Sequence, residues 1–533
     1  MSTDQTIAYS YCPGGTGKKI KFCCRDLLPE LSSLQRMADG EQFAAALHHV
    51  DRLLAGGRER PCLLAWRGLI LRNLGKWDEL AANAERFLAK YPDNRVALAD
   101  MAIVLAGQGK ATEALPLLFE SLAKTDDVWE QQVFEAVLEV AEALCLQERW
   151  APCRSLLLLA LAIDGQNFFA YQLLNRLHQA PFVPLLLKQT FQAPPCPADV
   201  PWKDDYNDLA EAIQDGRWCK TVDRFVQFAE QHPDCQSVAG LMIALWSAMG
   251  DAQRCREAAD RFAAVAQSWE DAAEGLAVAM LLGKDPLGDS VDVLRAEWTV
   301  SDPEKFEQAM LEAPCVVCEP VDYRLYENDE SPPPKAIYRL LERPPSGGEP
   351  TLDNTPLQLA RIEYYGRQTD RPGRLSIQPL GAPTLAVVKE ALLRIANGSL
   401  EPEPAAEVLG RASAGMLLFR AVMYCPNPIS KQKVEELRLG HMRRVMLEQW
   451  PDQPLGVLGG LTPRIAAADP AKQLLVQAAI KVLESFLLAE HPLDFNELRA
   501  ALGLPLAPPV EGRVEGRPRI PLVRFQRVVP DGF

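Results

Sequence analysis

The chain has 533 residues, 48% hydrophobic and 24% charged, with 56 Lys and Arg against 71 Asp and Glu for a net charge of −15. That acidity argues against a surface that embraces nucleic acid or anionic lipid as a whole, because such binding rests on neutralising phosphates. The apolar fraction is enough for a buried core, while 42 prolines and 33 glycines point to interrupted segments rather than one compact enzyme fold.

The N-terminus, MSTDQTIAYSY, has neither the basic start nor the apolar stretch of a secretory leader. The longest uncharged apolar run, 238–250, is too short to span a bilayer. Thirteen cysteines in no regular framework are expected as reduced thiols, which places the chain in a cytoplasm with no membrane partner.

A strand is expected over 6–11, and then comes the sharpest local pattern: Cys12-Pro13-Gly14-Gly15-Thr16-Gly17-Lys18-Lys19, followed by Cys23-Cys24. It resembles the SEC-C motif, a small zinc knuckle that reads Cys-x-Cys, Gly-Ser-Gly-Lys-Lys, then Cys and Cys or His. The resemblance covers about thirteen residues, and 1–26 is taken as the motif's segment. It implies zinc on Cys12, Cys23 and Cys24. The fourth position falls on Gly14, which has no ligating atom, and structural zinc wants four N or S ligands in a closed tetrahedron. Asp26, His48, a water or a partner chain are the candidates for the missing ligand, and Gly14→Cys is expected to restore it. The other reading is a tight turn that kept buried thiols without a metal. Lys18, Lys19 and Lys21 form a basic patch, the one place where nucleic acid is expected to touch. A phosphate-binding loop is excluded on spacing, since Cys12 stands where its first glycine belongs and Lys19 where its Ser or Thr does.

Beyond the motif, helical signals recur at a fixed interval. Gly75 and Gly109 are 34 residues apart, as are Gly216 and Gly250. Trp77, Trp150 and Trp218 each precede a Pro or Gly by fifteen, at Pro92, Gly165 and Pro233. A left-handed glycine allows the tight turn between two helices. A small residue five positions on, Ala114 or Cys255, allows close approach, and Pro92 or Pro233 ends the second helix. This resembles the tetratricopeptide repeat, a helix–turn–helix unit that buries its apolar faces only by stacking on its neighbours. The likeness is strongest over 61–128 and 202–265, degenerate over 27–60 and 129–180, and broken near 180–201. It implies a helical solenoid over 27–312 that binds protein or peptide. Arg72 and Asn73 are candidates for its concave face. The slots of the subtype that grips a C-terminal carboxylate hold Ala65, Leu69, Ala99 and Ile103, so that subtype is not supported.

Residues 313–350, with Pro332-Pro333-Pro334 and Pro344-Pro345, read as a linker. Cys315 and Cys318 within it have no second pair, and read as a coincidence in a buried segment. The stretch 351–505 reads as a smaller, mainly helical domain with minor β. Its helices are capped at Thr384, Ser430, Thr462 and Asp494, and a short strand lies near 374–378. Trp450-Pro451-Asp452, Gly459-Gly460 and Thr462-Pro463-Arg464 are similar to a phrase in the toxin-binding domain of antitoxins of the Xre–MbcA–ParS kind, over 450–484. Residues 506–533 are a Pro- and Arg-rich tail with a strand expected at 522–529.

The chain contains no His-Glu-x-x-His and no Gly-x-Ser-x-Gly, and no catalytic set stands out. The expected fold is mainly α, and the expected role is a non-enzymatic scaffold for protein–protein interaction. The alternative is a zinc-binding accessory factor, linked to ribosomes or translocation, that works through the N-terminal cysteines.

Overall fold

The computed structural model describes residues 7–125, 129–326, 332–368, 371–381, 384–425, 429–488 and 491–508. The chain is mainly helical, with one antiparallel six-stranded sheet in its C-terminal part. It divides into two compact units after Leu282. No described helix is long and apolar enough to cross a membrane.

The first unit is a succession of paired helices. Leu28–Asp39 pairs with Phe43–Ala55, Pro61–Asn73 with Trp77–Lys90, Arg95–Gly107 with Ala111–Ala123, and Gln131–Leu146 with Trp150–Ile163. Pro61 and Arg95 open equivalent helices 34 residues apart, and so do Trp77 and Ala111. The turns that join the pairs place Gly75 and Gly109 at φ +66° and +72°, and Gly216 and Gly250 both at +73°, a region where a Cβ is penalised. Ala114 and Cys255 are fully buried, as small residues between packed helices should be.

Phe168–Gln179 packs against Trp150–Ile163, but no α-helix follows it directly to complete a pair. The chain runs on through a three-residue turn, Leu185–Leu187, and an irregular Pro-rich stretch before Lys203–Gln214. Pairing resumes with Gln236–Met249, Ala252–Val265 and Trp269–Leu281. Trp218 sits in a short 3-10 turn, fully buried. Its indole N–H donates to Ser155 Oγ at 3.2 Å and its ring meets Phe119 edge-on. A buried ion pair, Arg95–Glu130 at 2.6 Å, fastens one helix start to the next.

The helical run stops at Leu281, short of the expected 312. Residues 290–300 form β1, and Pro303–Glu312 belongs to the second unit. The expected linker, 313–350, supplies β2 (Val316–Glu319) and β3 (Ala336–Leu341). The expected helical domain opens with β4 (Gln358–Tyr365) and β5 (Gly373–Pro379) and later adds β6 (Ala405–Ser413). Only the strand near 374–378 was legible. The sheet order is β2-β3-β4-β5-β1-β6, antiparallel throughout.

The physical reason for these strands is period-two burial. Ala360, Ile362 and Tyr364 point inward from β4, Leu375 and Ile377 from β5, and Ala296, Trp298 and Val300 from β1. The register lines them up, with Ile362 opposite Ile377 and Ile377 opposite Ala296, and Tyr364 opposite Leu375 and Leu375 opposite Trp298. Phe306 and Met310 of Pro303–Glu312, with Val388, Leu392 and Ala396 of Leu385–Ala396, cover that face. Each Val, Leu, Ile, Phe or Met side chain among them contributes about 1.5–3 kcal/mol by leaving water.

The remaining helices end the described chain: Lys431–Arg444, Pro463–Ala467, Gln473–Leu487 and Phe495–Ala501. Ser430, Thr462 and Asp494 accept backbone N–H groups at their starts, while Thr384 caps Leu385–Ala396 by backbone geometry without a side-chain bond. The strand expected at 522–529 lies outside the described residues.

Candidate metal centre

The strand expected at 6–11 is instead a helical turn at 7–9, and the chain reverses beyond it. Tyr11 bridges Lys19 in antiparallel fashion, and Cys12 N–H donates to the Lys18 carbonyl at 2.8 Å. Gly15 and Gly17, at φ +66° and +67°, make the reversal tight. The short helix Ile20–Cys23 then returns Cys23 and Cys24 to the side of Cys12.

Cys12, Cys23 and Cys24 place their sulfurs within 4.8 Å of one another, a spacing that could hold a metal ion. Cys24 is the hub, 3.6 Å from Cys12 and 3.4 Å from Cys23. Thr16 Oγ1 lies 3.2 Å from the Cys23 sulfur. A fourth thiol joins them from a distant part of the sequence. Cys62, near the start of Pro61–Asn73, is fully buried with its sulfur 3.2 Å from Cys24. The thiols of Cys24 and Cys62 hydrogen-bond toward Cys12 and hold its pKa well below the usual thiol value. The hydrogen bond with Cys12, and after it burial, raises those of Cys24 and Cys62.

The loop is seated on the first unit's helices. Gly14 lies against the start of Pro61–Asn73, so closely that a Cβ there would stand 2.3 Å from the Cys62 nitrogen and 2.5 Å from the Pro61 carbonyl carbon. Asn94 Nδ2 donates to the Gly14 carbonyl at 2.7 Å, and the Arg60 guanidinium donates to the Cys23 carbonyl and pairs with Asp26 at 3.0 Å. The chain matches no known family model, no curated protein and no solved structure.

Two of the expected fourth ligands are therefore elsewhere. Asp26 is committed to Arg60, and His48 is exposed on Phe43–Ala55 and joins no metal-binding group among the described residues. The expectation that Gly14→Cys would complete the site also reverses, because backbone atoms fill the space such a side chain needs. Cys62 escaped sequence reading because a cysteine inside an apolar helix reads as core. Gly14, a ligand position without a ligand, was the signal that something must replace it.

Lys18 is exposed, and the Lys21 ammonium lies 3.7 Å from the Tyr9 ring centre and 4.7 Å from that of Phe22. Arg72 is paired with Glu135, and Asn73 spends its amide on the Leu69 carbonyl of its own helix at 2.8 Å. Ala65, Ala99 and Ile103 are buried between helices rather than open to a groove. Cys315 and Cys318 do not lie in a buried segment: Cys318 is exposed on β2, an outer strand of the sheet.

Proposed function

We propose that this chain is a non-enzymatic protein-binding scaffold of the tetratricopeptide kind, whose SEC-C-like N-terminal loop holds zinc. The observation that carries the binding role is the helix Phe168–Gln179. No α-helix follows it directly to complete a pair, and it leaves Phe168 70%, Phe169 40% and Tyr171 62% exposed. Three large exposed aromatic residues in the first turn of a helix whose pair is not completed form the kind of apolar patch that marks a protein contact. An amphipathic helix of a partner, taking the place of the missing second helix, fits it best.

A photo-crosslinking residue at Tyr171 of the full-length chain tests this in native lysate. A discrete protein should be captured through an amphipathic helix, and a Phe168→Ser/Phe169→Ser variant with unchanged circular dichroism should lose it. Equal capture by the variant would remove the patch from the function. Elemental analysis of the purified chain tests the metal separately.

The accessory-factor reading is favoured by Tyr9, Tyr11 and Phe22, all exposed beside Lys18, Lys19 and Lys21. Rings and ammonium groups together suit stacking on single-stranded RNA. Binding that survives Lys18→Glu/Lys21→Glu would eliminate it.

A further inference from the structure

We propose that Cys62 is the fourth ligand of a closed four-thiolate zinc site, so that the metal fastens the N-terminal loop to the helix Pro61–Asn73. The inference rests on the zinc reading of the loop and adds what that reading lacks. Four sulfurs bound about 2.3 Å from one zinc stand about 3.8 Å apart. The three contacts that radiate from Cys24, at 3.2 Å to Cys62, 3.4 Å to Cys23 and 3.6 Å to Cys12, need only a few tenths of an ångström to reach that spacing. Cys62, which does not lie within 4.8 Å of both Cys12 and Cys23, must approach the more distant of them when the metal binds.

Position speaks for the same assignment. In the pattern the loop resembles, the second cysteine stands two residues after the first. Here that residue is Gly14, and what fills the room of its side chain is the backbone of Pro61 and Cys62. The helix occupies that place and brings its own thiol. Cys12, Cys24 and Cys62 are each at most 1% exposed. All four cysteines are free thiols, and at 3.2 Å the Cys24 and Cys62 sulfurs are too far apart to be a disulfide. A structural zinc site closes all four positions with protein ligands and leaves none for water or substrate. The metal would therefore hold architecture and do no chemistry.

Three measurements on the full-length chain test this. After dialysis the wild type should carry one equivalent of zinc, and Cys62→Ala should bind it at least about tenfold more weakly in competition with a chromogenic chelator. With cobalt(II) as the probe, the thiolate-to-metal charge-transfer absorbance should fall by about one quarter in that variant, as the loss of one thiolate in four requires. In the unmutated protein, mass spectrometry after alkylation should show Cys62 becoming reactive at the same chelator concentration as Cys12, Cys23 and Cys24, which keeps the test open if the variant does not fold. One equivalent of zinc in the wild type with unchanged affinity in Cys62→Ala, or with Cys62 reactivity indifferent to chelator, overturns the assignment and leaves the zinc reading standing. No zinc and no cobalt binding in the wild type, or a Cys24–Cys62 disulfide in its place, overturns both.

Discussion

Asp100 shows what a single buried charge does to this array. It is 2% exposed, its Oδ2 has no hydrogen-bond partner, and Gly68 leaves just enough room for it. Burial pushes its pKa up to about 8, opposed by the Arg72 charge and reinforced by Glu135. The folded chain thus keeps a proton that the unfolded chain releases near pH 4, so the contribution to stability is full below about pH 4 and is lost as pH rises towards 8. Asp100→Asn should remove that slope. Its urea midpoint should gain on the wild type's between pH 4 and pH 8 by the equivalent of roughly 5 kcal/mol, with the difference smallest near pH 4. A gap that stays constant with pH would mean the carboxyl is not the cause. The Arg95–Glu130 pair carries the opposite lesson. Arg95→Ala strands a buried carboxylate and should cost about 3–5 kcal/mol, whereas Arg95→Leu with Glu130→Leu should recover most of the loss. If the double variant is as unstable as the single one, the pair itself is stabilising.

At the scale of elements, the N-terminal cysteine loop and the helix Pro61–Asn73 depend on each other's backbone. Gly14→Ala places a methyl group against the Cys62 nitrogen and the Pro61 carbonyl carbon, neither of which can rotate away. A loss of about 1–3 kcal/mol is expected from such overpacking, together with weaker zinc retention, and thermal melting read alongside metal content checks both. An unchanged melting temperature would place the loop off the helix. The helices themselves were legible in the sequence, because glycine and small-residue spacing dictates where two helices can cross. The sheet was largely not. Pro332 to Pro334 and Pro344-Pro345 dominate the composition around β3 and look like linker, although they bound a six-residue strand. The alternation in Gln358–Tyr365 is carried partly by Gln, Arg and Glu, which conceal the inward row of Ala360, Ile362 and Tyr364. Three of the four clustered thiols could be read from a thirteen-residue stretch. The fourth could not, since adjacency between residues 24 and 62 is a property of the fold.

For the molecule as a whole, the division after Leu282 predicts where metal matters. Hydrogen exchange on the intact chain, with and without a zinc chelator, should speed up over 7–73 and leave β3, β4 and β5 unchanged. Equal acceleration in both units would mean that they do not respond independently.

The Cys24–Cys62 approach also bears on the unfolded chain. The two residues are 38 apart, and a link between them closes a loop whose freedom the denatured ensemble then loses. A covalent bridge of that span is worth between about 3 and about 5 kcal/mol in the chain-entropy description. A zinc link persists only while metal is bound, so the same stabilisation would vary with free zinc concentration, and the chain's resistance to unfolding would report how much zinc surrounds it.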